Sequence, residues 1–306
     1  MSLIKKTIFV LYIVLFANVC SADFVKVTLL GTGSPRPSVD RSGPAVLVEA
    51  GGETLLFDAG RGVVQRMQQL DVGSSDIQHI FLTHLHSDHI SAVDDVWLTG
   101  WIYQRPEALN IYGPKGTVSF IDHLTQAYSF DVHLRNKHAG LGTQSGLIHA
   151  TNIKPGVVYS ENGVKVTAFL VNHKPVDPAY GYRIDFGKRS VVISGDTSFS
   201  QSLADHSNDV DLLVHEIMAV KPEILERNPR LQKIERYHTD PAQLAQVLKL
   251  AKPRVAVMTH IILVGISEQE VLDQIQSQFD GELYMGEDLM SIEVGSRVKV
   301  IPYSIN

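Results

Sequence analysis

Thr83-His84-Leu85-His86-Ser87-Asp88-His89 places three imidazoles and a carboxylate within six residues. Neutral imidazole nitrogen and carboxylate oxygen are good zinc ligands. Four such groups cannot all be buried cheaply without partners, because unpaired polar groups are costly away from water. A bound metal would satisfy them together. Three companions follow. His173 comes after the strand-like stretch Val164 to Val171, Asp196 after Val191 to Ser194, and His260 after Arg254 to Met258. Each alone reads as a hydrogen-bonded loop residue. As an ordered set, each at or just beyond a predicted strand end, they read as ligands.

The elements that must position them can be read from periodicity. Phe24 to Leu30 alternates and runs into the tight turn Gly31-Thr32-Gly33-Ser34-Pro35. Ala45 to Glu49 and Thr54 to Phe57 flank Gly51-Gly52, a hairpin signal. Val63, Val64, Met67 and Leu70 fall at helical spacing within Arg61 to Leu70. Ile80 to Leu82 is a short buried strand that delivers the histidine cluster to a sheet edge. In the second half, Tyr182 to Phe186 and Asp211 to Val214 add strands, and Arg254 to Met258 ends at Thr259-His260. Asp240 to Leu250 predicts a helix with Asp240 as N-cap and Pro241 in its first turn. Leu283 to Met285 and Met290 to Val300 supply late strands. Strands first and helices after, in each half, predict two sheets sandwiched between helices.

The chain has 306 residues, 44% of them apolar, with a formal net charge of −6. That is enough for a large core, and it lacks the overall basic field of a typical nucleic-acid binder. Residues 1–22 read as a signal peptide. Lys5 and Lys6 form the positive region, Thr7 to Val19 the apolar stretch, and Cys20-Ser21-Ala22 the small residues before a cut ahead of Asp23. The apolar stretch is short for a membrane span. The expected location is therefore periplasmic or secreted, with no stable membrane insertion after cleavage. Cys20 is the only cysteine, so residues 23–306, read as one hydrolase domain, contain no disulfide and no thiol ligand or nucleophile.

The His84-x-His86-x-Asp88-His89 motif with His173, Asp196 and His260 resembles the metallo-β-lactamase superfamily. The resemblance implies an αβ/βα sandwich of two mixed sheets flanked by helices, with two zinc ions (manganese or iron can occupy such sites). It implies that His84, His86, His173 and Asp196 hold one ion. Asp88, His89, Asp196 and His260 would hold the other, with Asp196 bridging. Asp88 would also orient the nucleophile. Two metals about 3.5–4 Å apart can activate one water and polarise an ester.

Leu29-Leu30-Gly31-Thr32-Gly33-Ser34-Pro35, Arg41-Ser42-Gly43-Pro44-Ala45, Leu56-Phe57-Asp58-Ala59-Gly60 and Ser194-Gly195-Asp196-Thr197 look like the ribonuclease Z and arylsulfatase branch. Leu213-Val214-His215-Glu216 resembles that branch's His-Glu-Ala-Thr loop, and Tyr237-His238-Thr239 its His-Ser-Thr segment. By resemblance, His238 is the proton donor to the leaving oxygen and Glu216 helps to hold it. Two departures stand out. Ile217-Met218 replaces Ala-Thr. Only 22 residues separate His173 from Asp196, where the bacterial tRNA-processing enzymes insert a long arm.

These departures favour a small-molecule ester substrate, a sulfate or phosphate (di)ester with a small or aryl group, and make nucleic acid an unlikely partner. A lactonase-type acyl hydrolase is the alternative, a tRNA 3′-processing endonuclease a weaker one, and a non-catalytic zinc-binding protein a third. A homodimer would suit the branch. Trp97, Trp101, Tyr103 and Tyr112 form either an aromatic wall for an aryl group or plain core, and Tyr180 and Tyr182 raise the same two readings. His215 is either functional or packed in the core. His79, His123, His133, His138, His149 and His206 read as surface or structural.

Overall fold

The computed structural model describes residues 23–141 and 146–304. The expected signal peptide, residues 1–22, lies outside the described residues. No described helix is long and apolar enough to cross a membrane.

The first half builds β1 (Val25–Gly31), β2 (Ala45–Ala50), β3 (Glu53–Phe57), α1 (Val63–Gln68), β4 (His79–Phe81), α2 (Ser87–Ile90), α3 (Val93–Ile102), β5 (Leu109–Gly113), α4 (Thr117–Ala127), α5 (Ser129–Ala139) and β6 (Ile148–Asn152). The second half builds β7 (Gly156–Glu161), β8 (Val164–Leu170), β9 (Tyr180–Phe186), β10 (Arg189–Ile193), α6 (Gln201–His206), β11 (Leu212–Val220), α7 (Pro222–Glu226), α8 (Pro229–Glu235), α9 (Pro241–Ala251), β12 (Val255–Val264), α10 (Glu268–Gln276), β13 (Glu282–Met285), β14 (Ser291–Val294) and β15 (Val298–Ile301).

Among the described residues one sheet runs β15-β14-β1-β2-β3-β4-β5-β6 and the other β13-β12-β11-β10-β9-β8-β7. Both are mixed, antiparallel at one side and parallel at the other. Strand alternation divides the apolar residues between layers. Val25, Val27, Leu29, Leu55, Phe57, Val164, Val166, Val191, Val214 and Val257 meet in one core between the sheets. Leu47, Leu56, Ile80 and Leu82 face the other way, onto Val63, Met67, Val93, Val96 and Trp97 of α1 and α3. Val192, Leu213, Ala256 and Met258 face Leu203, Leu244, Leu248, Val271 and Ile275 of α6, α9 and α10. Each such aliphatic side chain contributes about 1.5–3 kcal/mol by burial. The result is the expected αβ/βα sandwich.

The hairpin expected at Gly51-Gly52 forms, with both glycines at positive φ (60° and 86°). The Asp240 helix forms as α9, and the Asp240 side chain accepts from Gln243 N in a capping box. Three expectations change. The helix expected over Arg61 to Leu70 shortens to α1, because Gly62 takes a left-handed φ of 90° before it. β11 does not stop at Val214 but continues to Val220, so His215 and Glu216 lie inside a strand and not on a loop. β12 likewise does not end at Thr259-His260. It passes through His260, which stands at φ 43° as the extra residue of a bulge: Glu216 pairs with Thr259, and Ile217 with Ile261.

Candidate metal centre

The chain leaves β4 through Leu82 and Thr83, and its first turn is clamped from three sides. Tyr182 Oη donates to Leu82 O at 2.6 Å. Tyr180 N donates to Thr83 O at 2.9 Å. Asp58 accepts from Thr83 N and from Thr83 Oγ1, both at 2.8 Å. His84 and His86 follow, and α2 then presents Asp88 and His89 from its first turn. Gly60 supports this turn from below, since a Cβ there would meet Asp88 O at 2.6 Å. His173 lies just past β8, and Asp196 just past β10.

These loops bring every expected ligand together. His84, His86, His173 and Asp196 each offer one donor atom, all within 4.8 Å of one another, and so do Asp88, His89 and His260. Asp196 faces both groups. Its Oδ2 is 3.7 Å from His84 Nε2, 3.9 Å from His173 Nε2 and 3.4 Å from His260 Nε2, while Oδ1 is 3.3 Å from His89 Nε2. His173 Nε2 lies 3.3 Å from His86 Nδ1, and His260 Nε2 lies 3.3 Å from Asp88 Oδ2. Donors bound at 2.0–2.2 Å around a tetrahedral ion sit roughly 3.3–3.6 Å apart, so the donor spacing is close to what a bound metal ion requires. The polar inventory fits as well. His84 Nε2, His89 Nε2 and Asp196 Oδ1 are buried and make no hydrogen bond, an arrangement that a cation would satisfy.

The outer nitrogens orient the rings. His84 Nδ1 meets Thr83 Oγ1 at 3.0 Å, His89 Nδ1 meets Asp58 Oδ2 at 2.7 Å, and His173 Nδ1 donates to Tyr237 O at 2.8 Å. Burial lowers the pKa of His84, His86 and His173, favouring the neutral, ligating form. His89 behaves oppositely. Burial lowers its pKa too, but Asp196 and Asp58 outweigh that and raise it well above the ordinary value. Metal binding at His89 would release that proton. Burial would raise the Asp196 pKa, and the surrounding imidazoles, His260 and His89 foremost, hold it well below the usual range.

Glu216 is fully buried on β11. Its Oε1 accepts from Thr197 N at 2.9 Å, Thr239 N at 3.2 Å and His238 Nδ1 at 2.9 Å. With Nδ1 held there, the other ring nitrogen of His238 is free to face the cluster, and His238, Asp196 and His260 offer donor atoms within 4.8 Å of each other. Burial lowers the His238 pKa, but the Glu216 charge and hydrogen bond more than offset this and lift it to about 9.

Sequence reasoning overlooked Asp58. The residue was visible in Leu56-Phe57-Asp58-Ala59-Gly60, a lone carboxylate at a strand end, but its contact to His89 joins residues 31 positions apart. The aromatic wall does not form. Trp97 and Trp101 are buried on the helix side, with Trp97 Nε1 donating to Gly146 O. Tyr103 is 73% exposed. Tyr112 stacks on Phe81, and Tyr180 and Tyr182 are core residues. His215 is also a core residue, buried with Nδ1 against Glu216 O at 2.7 Å.

Fold and cluster together define a metallo-hydrolase of the αβ/βα type, and comparison with known proteins agrees. A family model described as "Beta-lactamase superfamily domain" matches residues 53–261. Ribonuclease Z of Mycobacterium marinum is 35% identical over 282 residues, covering 89% of this chain and 100% of that protein. Ribonuclease Z of Mycolicibacterium gilvum is 35% identical over 277 residues, covering 88% and 96%. Among solved structures, the metallo-beta-lactamase fold protein YhfI from Bacillus subtilis superimposes with a TM-score of 0.70 at 19% identity, covering 89% of this chain and all of that one. Human tRNase Z, short form, gives 0.65 at 23% identity, covering 87% and 98%. The chain belongs to the metallo-β-lactamase superfamily, in its ribonuclease Z branch.

Proposed function

We propose that this protein is a dinuclear zinc phosphodiester hydrolase. The observation that carries the reading is Asp196, whose carboxylate lies between His84 and His173 of one group and His89 and His260 of the other, with the His238–Glu216 pair at their edge. His84, His86, His173 and Asp196 would hold one ion, and Asp88, His89, Asp196 and His260 the other. When bound, zinc supplies Lewis acidity at the ester and a water of lowered pKa. Asp88, on the first turn of α2, would help to hold the ions and to orient the attacking water. His238, its pKa raised by the Glu216 charge and hydrogen bond against burial, donates a proton to the leaving oxygen as the P–O bond breaks, and Glu216 holds the ring in place. A protonated leaving-group acid matters most for alkoxides, which leave poorly as anions.

The phosphate branch is favoured over the sulfate branch because the relatives at 35% identity are named ribonuclease Z. A lactonase would leave the His238–Glu216 pair without a purpose. A groove of about 320 Å³, lined by Gly33, Ser34, Arg36 and by Ile261 to Val264, the residues that follow His260 on β12, has room for a small ester. The test compares bis(p-nitrophenyl) phosphate with p-nitrophenyl sulfate on the zinc-loaded chain starting at Asp23. Faster turnover of the diester supports the proposal. Turnover of the sulfate alone would replace it with an arylsulfatase, and turnover of lactones alone with a lactonase. Export through residues 1–22 belongs to the same proposal, and N-terminal sequencing of the mature protein from a periplasmic fraction tests it.

A further inference from the structure

β13 pairs with β12 as far as Met258 and Met285. Beyond that point other segments take over the edge of β12. Gly286 N donates to Met258 O at 2.9 Å, and Ile261 N donates to Thr32 O at 2.9 Å. The Gly31-Thr32-Gly33-Ser34-Pro35 turn therefore meets β12 where the strand bulges at His260. That residue stands at φ 43°. A residue other than glycine persists in the left-handed region where its surroundings over-determine it. Two constraints do so here: the pairing with β11 on one side, and the bond from Ile261 to Thr32 on the other.

His260 depends on its backbone more than three of the other imidazoles do. His84, His89 and His173 are each oriented by a hydrogen bond at the outer nitrogen. His260 Nδ1 is buried and makes no hydrogen bond. Its ring is flanked by His238 at 5.4 Å and His89 at 5.2 Å between centroids. Backbone and ring stacking together set where Nε2 points, 3.3 Å from Asp88 Oδ2 and 3.4 Å from Asp196 Oδ2.

Thr32 is in turn held by a carboxylate outside the cluster. Asp288 Oδ1 accepts from Thr32 N and Thr32 Oγ1, both at 2.8 Å. Its Oδ2 accepts from Ser42 N at 2.6 Å and from Arg66 Nε of α1 at 3.1 Å. The Asp288 side chain is 5% exposed. The backbone beside it is fixed to β1, with Leu289 N donating to Leu29 O and Leu29 N to Met290 O. Arg41 Nη1 closes the frame by donating to Thr32 Oγ1 and Gly286 O. All four hydrogen bonds described for Asp288 go to Thr32, Ser42 and Arg66, none of them a candidate ligand.

We propose that Asp288 is a positioning residue for His260, acting through the Thr32 carbonyl and the Ile261 N–H to set the bulge that turns the imidazole onto Asp88 and Asp196. The proposal rests on the two-ion reading and deepens it. The ion held by Asp88, His89, Asp196 and His260 depends on the Gly31–Pro35 turn. The ion held by His84, His86, His173 and Asp196 draws on the ends of β4, β8 and β10 instead.

The test compares Asp288→Asn with Asp211→Asn in the chain starting at Asp23. An amide has one acceptor oxygen and two N–H donors, so it cannot serve Thr32, Ser42 and Arg66 together. Asp211 is a matched control: a buried carboxylate that accepts from Ser190 N and Arg254 Nη1 just before β11, at the end of the sheet away from the cluster. Stepwise zinc affinities are read by competition with a chromogenic chelator. The wild-type protein should bind two ions per chain. In Asp288→Asn one ion should bind about 10–100-fold more weakly, the usual loss for an outer partner of a ligand, and the other should change less than about threefold. The weakened ion should be the one that His260→Ala also loses, so the residual cobalt(II) absorption spectra of the two variants should coincide. Asp211→Asn should melt at a lower temperature with the ratio of the two affinities unchanged. Thr32→Val removes only the hydroxyl bond to Asp288, should weaken the same ion by a smaller factor, and serves if Asp288→Asn does not fold. Equal weakening of both ions, unchanged affinities, or selective loss of the ion that His260→Ala keeps would each overturn the proposal. A wild-type protein that binds fewer than two ions at saturating zinc would overturn the two-ion reading itself.

Discussion

His238 Nδ1 lies 2.9 Å from Glu216 Oε1, and the same oxygen accepts from the backbone N–H groups of Thr197 and Thr239. One carboxylate thus joins the loop that carries Asp196 to the loop that carries His238. Its charge raises the His238 pKa to about 9 against the effect of burial. A raised histidine pKa means that the proton is bound at neutral pH and is lost as pH rises through that value. Activity toward alkyl diesters should therefore fall on the alkaline side. Glu216→Gln removes the charge and should move that limb down by about two pH units, toward the ordinary imidazole value. A pH profile of kcat/KM checks this, and an unmoved limb would assign it to another group.

His238→Ala should keep both metals, because the ligand set is complete without it. The expected loss is about a hundredfold or more for an alkyl leaving group and under tenfold for nitrophenolate, which leaves without help. Equal losses for the two leaving groups would remove His238 from the role of acid.

Asp196→Ala should abolish metal content and turnover together, since the carboxylate reaches both groups of histidines. Elemental analysis of the purified variant measures this directly. Retention of one ion per chain would show that the two sites are independent.

Asp58→Asn tests the partner of His89. Asparagine tolerates the left-handed φ of 58° found there, so the backbone should survive. The amide accepts less strongly from His89 Nδ1 and from Thr83. Zinc affinity should drop about 10–100-fold, read by competition with a chromogenic chelator. Unchanged affinity would confine Asp58 to shaping the Thr83 turn.

Gly195→Ala addresses the backbone before Asp196. Gly195 stands at φ 61°, and an added Cβ would lie 2.6 Å from Tyr180 O. The left-handed conformation alone costs a side chain about 1–2 kcal/mol, and the contact with a carbonyl adds to it. A melting temperature several degrees lower and reduced zinc occupancy are expected. A variant that melts with the wild type and binds two ions would show that this turn yields easily.

The seven candidate ligands were legible because they are a matter of residue type and local context. His84, His86, Asp88 and His89 crowd one short segment, and His173 and Asp196 each follow an apolar strand that the structure confirms as β8 and β10. The Gly51-Gly52 hairpin and the Asp240-Pro241 helix start were legible for the same reason: backbone φ and capping are properties of a few adjacent residues. His260 was found with its backbone misjudged. An alternating apolar run says where a strand is, but not that it continues past a bulge, which depends on pairing with β11.

The tertiary structure alone decided the rest. Trp97, Trp101 and Tyr112 lie in sequence between candidate ligands, yet Trp97 and Tyr112 pack in the two cores and Trp101 is buried, because strand and helix phase turns them away from the centre. Asp58 reaches His89 because β3 and β4 pair in parallel and end side by side. Glu216 reaches His238 because β11 runs beyond Val214. Residue types and local periodicity determined which candidate ligands exist and which strands carry them. The register between distant strands decided which carboxylate meets which imidazole, because a hydrogen bond depends on ångström distances between segments that the chain itself leaves free to lie anywhere.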